Sequence, residues 1–128
     1  MSEIPDNLGY TKDHEWVGPK EGKGVKVGIT DYAQDALGDV VFVDIPTVGE
    51  DVTVGQTVTE VESTKSVSDI YAPLNGTIVE VNEELDDSPE LLNSDPYGEG
   101  WIFAIEITNQ SPNTDLLPAE DYTKLIEG

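Results

Sequence analysis

Lys65 is the side chain with the clearest chemical potential in this 128-residue sequence. It lies in Ser63-Thr64-Lys65-Ser66, between two runs of β-type residues, Val58 to Glu62 and Val67 to Tyr71. The spacing predicts a tight turn with Lys65 at its centre. Three roles are open to such an amine: a solvated turn charge, a Schiff-base catalyst, or a covalent attachment point. A catalytic amine needs a depressed pKa, from desolvation or a nearby cation. Glu60, Glu62 and Asp69 flank Lys65 instead and favour its charged form. Acylation removes that charge, and a hairpin tip presents the amine well to a modifying enzyme. A rigid sandwich beneath would aim an attached arm while leaving it free to swing.

The other chemistry-bearing residues are sparse. Cys is absent, which excludes disulfide scaffolds, cysteine nucleophiles and thiolate metal sites. Any sulfur chemistry then needs an added cofactor. His14 is the sole histidine. The acid pairs Glu83-Glu84 and Asp86-Asp87 invite calcium, but no Asp-x-Asp-x-Asp-Gly loop accompanies them. No nucleophile–base pair or phosphate loop is visible, so the expectation is a protein without catalysis or a metal.

Charge bounds the partners. Asp and Glu number 27 against 6 lysines and no arginine, for a net charge of -21. Nucleic acid and anionic membranes repel such a chain. No apolar run is long enough for a membrane-spanning helix, and the expectation is a chain without a signal or transit peptide. The expectation is a cytoplasmic monomer from a prokaryote, with an acidic surface suited to a halophile.

The elements that must position Lys65 read as short strands between turns. Tyr10 to Val17 is a candidate strand, followed by a turn at Gly18 to Gly22 and a hairpin partner at Gly24 to Ile29. Thr30 to Leu37 changes period, with Thr30 as N-cap, an apolar face at Ala33, Ala36 and Leu37, and Gly38 at the C-terminal cap. Val40 to Ile45 is nearly continuous and apolar, a core strand. Val52 to Val54 is a further β-type run. Ala72 to Gly76 carries an Asn-Gly turn signal, and Thr77 to Asn82 is another strand. Ser88 to Asn93 suits one helical turn with proline at its first position. Trp101 to Ile107 is a second apolar strand, and Pro118 starts a helix with Ala119, Tyr122 and Ile126 on one face. Trp16 and Trp101 read as core or turn braces. Gly38 to Asp44 weakly echoes Gly76 to Asn82, as two similar strand units around one core would.

At Glu62-Ser63-Thr64-Lys65-Ser66-Val67-Ser68-Asp69-Ile70-Tyr71-Ala72-Pro73-Leu74-Asn75-Gly76 the chain resembles the lipoyl-lysine signature of glycine cleavage system H proteins. His14-Glu15-Trp16, Gly28 to Asp39, Pro96 to Trp101 and Leu116 to Tyr122 resemble further blocks of that family, in its order. The resemblance covers roughly residues 8 to 126. It implies one domain over 1–128, an all-β barrel-sandwich hybrid with short flanking helices and a C-terminal helix. It implies a carrier with lipoate in amide linkage on Lys65. The arm would take an aminomethyl group from the pyridoxal-phosphate-dependent glycine decarboxylase and deliver it to aminomethyltransferase. Dihydrolipoamide dehydrogenase would reoxidise the dithiol, and a lipoate ligase or octanoyltransferase would install the arm.

The family folds the loaded arm into a surface cleft, and the matching positions are Glu15 and Asp69. Glu62, Ser63, Ser66 and Ile70 are matched as partner-recognition residues. The family commonly has a histidine where this chain has Ala36, and His14 is offset from that place. A biotin carrier fits poorly, since methionines usually flank its lysine and Thr64 and Ser66 stand here. A lipoyl domain of a 2-oxoacid dehydrogenase, or one serving lipoate relay, is the alternative.

Overall fold

The computed structural model describes residues 4–5, 8–18, 24–107 and 116–127. Two antiparallel sheets enclose the main core. The larger has the strand order β1 (Gly9–Tyr10), β2 (Glu15–Val17), β3 (Val25–Ile29), β9 (Phe103–Ile107), β8 (Gly76–Val81) and β5 (Asp51–Val52). The smaller has β4 (Val40–Val43), β6 (Thr57–Ser63) and β7 (Val67–Tyr71). Helix α1 (Asp31–Leu37) joins β3 to β4, while α2 (Glu84–Asp87) and α3 (Leu91–Ser94) separate β8 from β9. Helix α4 (Ala119–Glu127) follows β9. The sheet-rich barrel-sandwich expected from the sequence is the fold observed.

Alternation along the strands builds the core. Val27, Val61, Ile78, Phe103 and Ile105 are fully buried and pack in one cluster with Val40, Val43 and Ile70. Each such side chain contributes about 1.5–3 kcal/mol by leaving water. The echoed segments at β4 and β8 fall in different sheets and feed this same cluster. A second cluster, Tyr10, Trp16, Ala119 and Tyr122, docks α4 against the N-terminal hairpin. Ala119 and Tyr122 form the buried face expected for that helix, with Ile126 packed against it.

Several local expectations change. Tyr10 to Val17 is two strands, because the chain reverses at Thr11–His14, where His14 takes φ 67°. Val40 to Ile45 shortens to an edge strand, Val40–Val43, with Val41 and Phe42 exposed. Of the run Val52 to Val54, only Val52 is in a strand. The Ala72 to Gly76 turn joins two sheets: it carries the chain from the smaller to the larger. Gly76 opens β8 where a Cβ would collide with the Glu106 carbonyl oxygen, so close approach to β9 demands glycine. Helix α2 was not expected, and α3 starts two residues after Pro89. Of the turn predicted at Gly18 to Gly22, residues 19–22 lie outside the described residues.

Candidate carrier site at the Lys65 hairpin

Strands β6 and β7 pair from Thr57↔Tyr71 to Glu62↔Val67, leaving Ser63 to Ser66 as the tip. The Ser63 amide donates to the Ser66 carbonyl at 2.8 Å. The Ser63 hydroxyl accepts from the amides of Lys65 (3.3 Å) and Ser66 (3.1 Å) and donates to the Ser66 carbonyl (3.1 Å). A serine here is therefore a turn lock. The Thr64 amide donates to the Asp39 carbonyl at 3.0 Å, tying the tip to the segment after α1.

Lys65 is exposed at this tip. Its stem lies over Gly38, where an added Cβ would stand 3.2 Å from Lys65 Cε. Gly38 closes α1 at φ 86°, a conformation that favours glycine, with its amide on the Gln34 carbonyl. At the other end Thr30 caps the helix, accepting from the Ala33 amide at 3.1 Å. Asn93 on α3 fixes the floor: its Nδ2 donates to the Gly38 carbonyl and to Gln34 Oε1, and its Oδ1 accepts from the Val40 amide. The lysine stem thus rests on a braced, side-chain-free cradle.

Beside the tip is a cleft of about 380 Å³, with His14, Ala33, Ala36, Ser66, Val67 and Ile70 among its lining. Ala36 is exposed in that wall. His14 Nδ1 is 2.8 Å from the Tyr122 hydroxyl, and that hydroxyl is 2.8 Å from Thr30 Oγ1. Burial lowers the His14 pKa against the opposing pull of Asp13. It pushes Tyr122 up to about 12, despite its bond to Thr30.

Glu15 and Asp69 do not share a cavity wall. Glu15 is 1% exposed and lines a separate cleft of about 440 Å³ with Tyr71 and Ala72. Its Oε2 accepts from the Tyr71 amide at 2.6 Å and its Oε1 from the Thr11 hydroxyl at 3.3 Å. Burial pushes its pKa up to about 8, against the lowering pull of the Tyr71 amide. A buried carboxyl that holds its proton at neutral pH is not a ready counter-ion for a protonated amine. Asp69 is exposed on the outer face of the smaller sheet, opposite Glu60, and lines neither cleft.

The four partner-recognition positions also separate. Glu62 and Ser66 are exposed beside the tip. Ser63 spends its hydroxyl on the turn, and Ile70 is 2% exposed in the core, so no partner reaches it directly. A further surface feature had no sequence signal: register places Phe42 beside Glu62 and Glu62 beside Val67. Phe42 is 50% exposed and Val67 58%. The His14–Tyr122–Thr30 chain was also missed. Its partners are up to 108 positions apart, and only the fold brings them together.

A lysine on a braced hairpin tip of a two-sheet fold, with a cleft alongside, defines a carrier domain of the lipoyl type. The glycine cleavage H-protein family model matches residues 8–128, and the chain belongs to that family. A glycine cleavage system H protein of Micrococcus luteus is 56% identical over 123 residues, covering 95% of this chain and 96% of the relative. One of Coprothermobacter proteolyticus is 52% identical over 123 residues, covering 96% and 97%. The crystal structure of a glycine cleavage system H protein from Mycobacterium marinum superposes with TM-score 0.86 at 45% identity, over 98% of this chain and all of that one.

Proposed function

We propose that this chain is the lipoyl carrier of a glycine cleavage system, with lipoate in amide linkage on Lys65. The observation that carries the site assignment is the Gly38 cradle under an exposed lysine at a locked tip. Lipoate supplies a cyclic disulfide to a chain without cysteine. Lys65 anchors it, Ser63 and the Asp39 carbonyl hold the tip rigid, and Gly38 leaves room for the stem. The cleft beside the tip, with Ala33, Ala36, Val67 and Ile70 in its lining, offers the arm a partly apolar wall. The role is non-catalytic: the carrier raises the local concentration of its cargo wherever it docks.

The proposed partners are glycine decarboxylase, aminomethyltransferase, dihydrolipoamide dehydrogenase and the enzyme that installs lipoate. Exposed Glu62 and Ser66 are the proposed recognition positions beside the tip. The family match does not favour a lipoate-relay domain or a lipoyl domain of a 2-oxoacid dehydrogenase. The relatives are bacterial, which supports the prokaryotic reading. A cytoplasmic address, a monomeric state and a salt-adapted surface belong to the same proposal. The test is intact mass after incubation with lipoate ligase, ATP and lipoate. One lipoyl gain, absent in Lys65→Arg, is expected. A gain that survives Lys65→Arg overturns the site.

A further inference from the structure

Asn93 grips both peptide groups that flank Asp39. Its Oδ1 accepts from the Val40 amide at 2.8 Å, and its Nδ2 donates to the Gly38 carbonyl at 2.9 Å. The second Nδ2 hydrogen goes to Gln34 Oε1, also at 2.9 Å. Turning this amide over would set oxygen against oxygen at Gly38 and N–H against N–H at Val40. Gln34 is fixed in the same way: its Nε2 donates to the Asp31 carboxylate at 2.7 Å, which leaves Oε1 to face Asn93. Leu92, fully buried in the main core, plants α3 beside these partners.

The Asp39–Val40 peptide is trans, so its carbonyl and its N–H point in opposite directions across one plane. Asn93 holds the N–H side. The carbonyl side accepts from the Thr64 amide at 3.0 Å. One rigid plane therefore leads from Asn93 to the residue before Lys65. On the preceding plane, Asn93 holds the carbonyl of the glycine over which the Lys65 stem lies.

We propose that Asn93 is a positioning residue for acylation of Lys65: it aims the Asp39 carbonyl at the Thr64 amide and so fixes the direction in which the Lys65 amine leaves the tip. This rests on the carrier reading above. Acylation is a directional step. The ammonium first gives one proton to solvent. Its nitrogen then bonds to the acyl carbon of the lipoyl adenylate made from lipoate and ATP. The bond from that carbon to the phosphate oxygen breaks, AMP leaves with the electron pair, and a second proton passes to solvent. Attack needs the nitrogen about 3–3.5 Å from that carbon and aligned with it. A tip that rocks about Asp39 carries the amine off this path. Lys65 nevertheless stays exposed, and Glu62 stays paired within its sheet.

The test is steady-state lipoylation by lipoate ligase, ATP and lipoate, with the carrier as the varied substrate. Asn93→Ala should lower kcat about tenfold, the order of one hydrogen bond, with KM for the carrier at the parent value. Asn93→Gln, which keeps the amide group, should recover part of the loss. Gln34→Met, which removes only the brace behind Nδ2, should show a smaller fall. Acetylation of Lys65 by a small soluble ester, read by peptide mass, should match the parent in every variant, because exposure of the amine is unchanged. Urea unfolding checks that each variant is folded in the assay; a purely structural role would then leave kcat unmoved. Parent values of kcat and KM in folded Asn93→Ala overturn the inference and leave the carrier reading standing. A raised KM at parent kcat also overturns it, because Asn93 would then shape the docking surface instead. If Asn93→Ala does not fold, a parent kcat in Gln34→Met overturns it. If the parent protein takes up no lipoyl group, the carrier reading itself fails.

Discussion

Replacing Glu15 by glutamine should flatten the pH dependence of stability. The unfolded chain gives up this proton near 4.5, whereas the folded protein holds it until about 8. Between those values the unfolded state binds fewer protons, so stability falls as pH rises. The Glu15 contribution is fully present below 4.5 and lost by the time pH passes about 8. The slope is about 1.4 kcal/mol per pH unit, or about 4 kcal/mol between pH 5 and 8. Glutamine is neutral throughout and keeps an acceptor for the Tyr71 amide. The assay is urea unfolding by tryptophan fluorescence across that range, at constant ionic strength. Repulsion among the other acids also tilts both curves, so the difference between the two proteins is the quantity to read. Parallel curves would refute the claim that Glu15 is folded away as a neutral acid.

Gly38→Ala should cost about 1–3 kcal/mol of stability, because alanine is strained at φ 86°; it should also slow lipoylation, by crowding Lys65 Cε. Thermal melts and a ligase time course check both effects. Asn82→Ala should destabilise by about 1–3 kcal/mol, measured by urea unfolding. Asn82 Nδ2 donates to the carbonyls of both Glu99 and Trp101, at 2.7 Å each. Ser63→Ala should cost about 1 kcal/mol and loosen the tip, seen as faster amide exchange at Lys65 and Ser66. Partner docking through the acidic face should weaken as salt is raised, read by titration calorimetry; indifference to salt would place the affinity in apolar contacts.

The parts of the site that were legible are those encoded by neighbours. The Ser63-to-Ser66 break between two alternating runs marked the hairpin, and Thr30 and Gly38 marked both ends of α1. Residues whose surroundings depend on distant chain were not legible. The Val40 run looks like a core strand, but Val41 and Phe42 are left half-exposed at a sheet edge. Gly76 looks like a turn residue, but β9 is what forbids its side chain. Glu15 was matched by position as a contact for the arm, and nothing in the sequence signalled its burial against the Tyr71 amide. His14 was seen as offset from Ala36, yet folding sets both in one cleft wall.

The Phe42–Glu62–Val67 row bears on solubility. Glu62 interrupts what would otherwise be a continuous apolar stripe on an outer sheet face. In dilute buffer the net charge of -21 keeps copies of the chain apart. In about 1 M salt that repulsion reaches only about 3 Å. What then opposes stacking of two sheet faces is the hydration of the carboxylates on this face, Glu62 within the apolar row and Glu60 and Asp69 beyond it. A Glu62→Val protein would therefore remain dispersed at low salt and self-associate at high salt, the reverse of an assembly held by ion pairs.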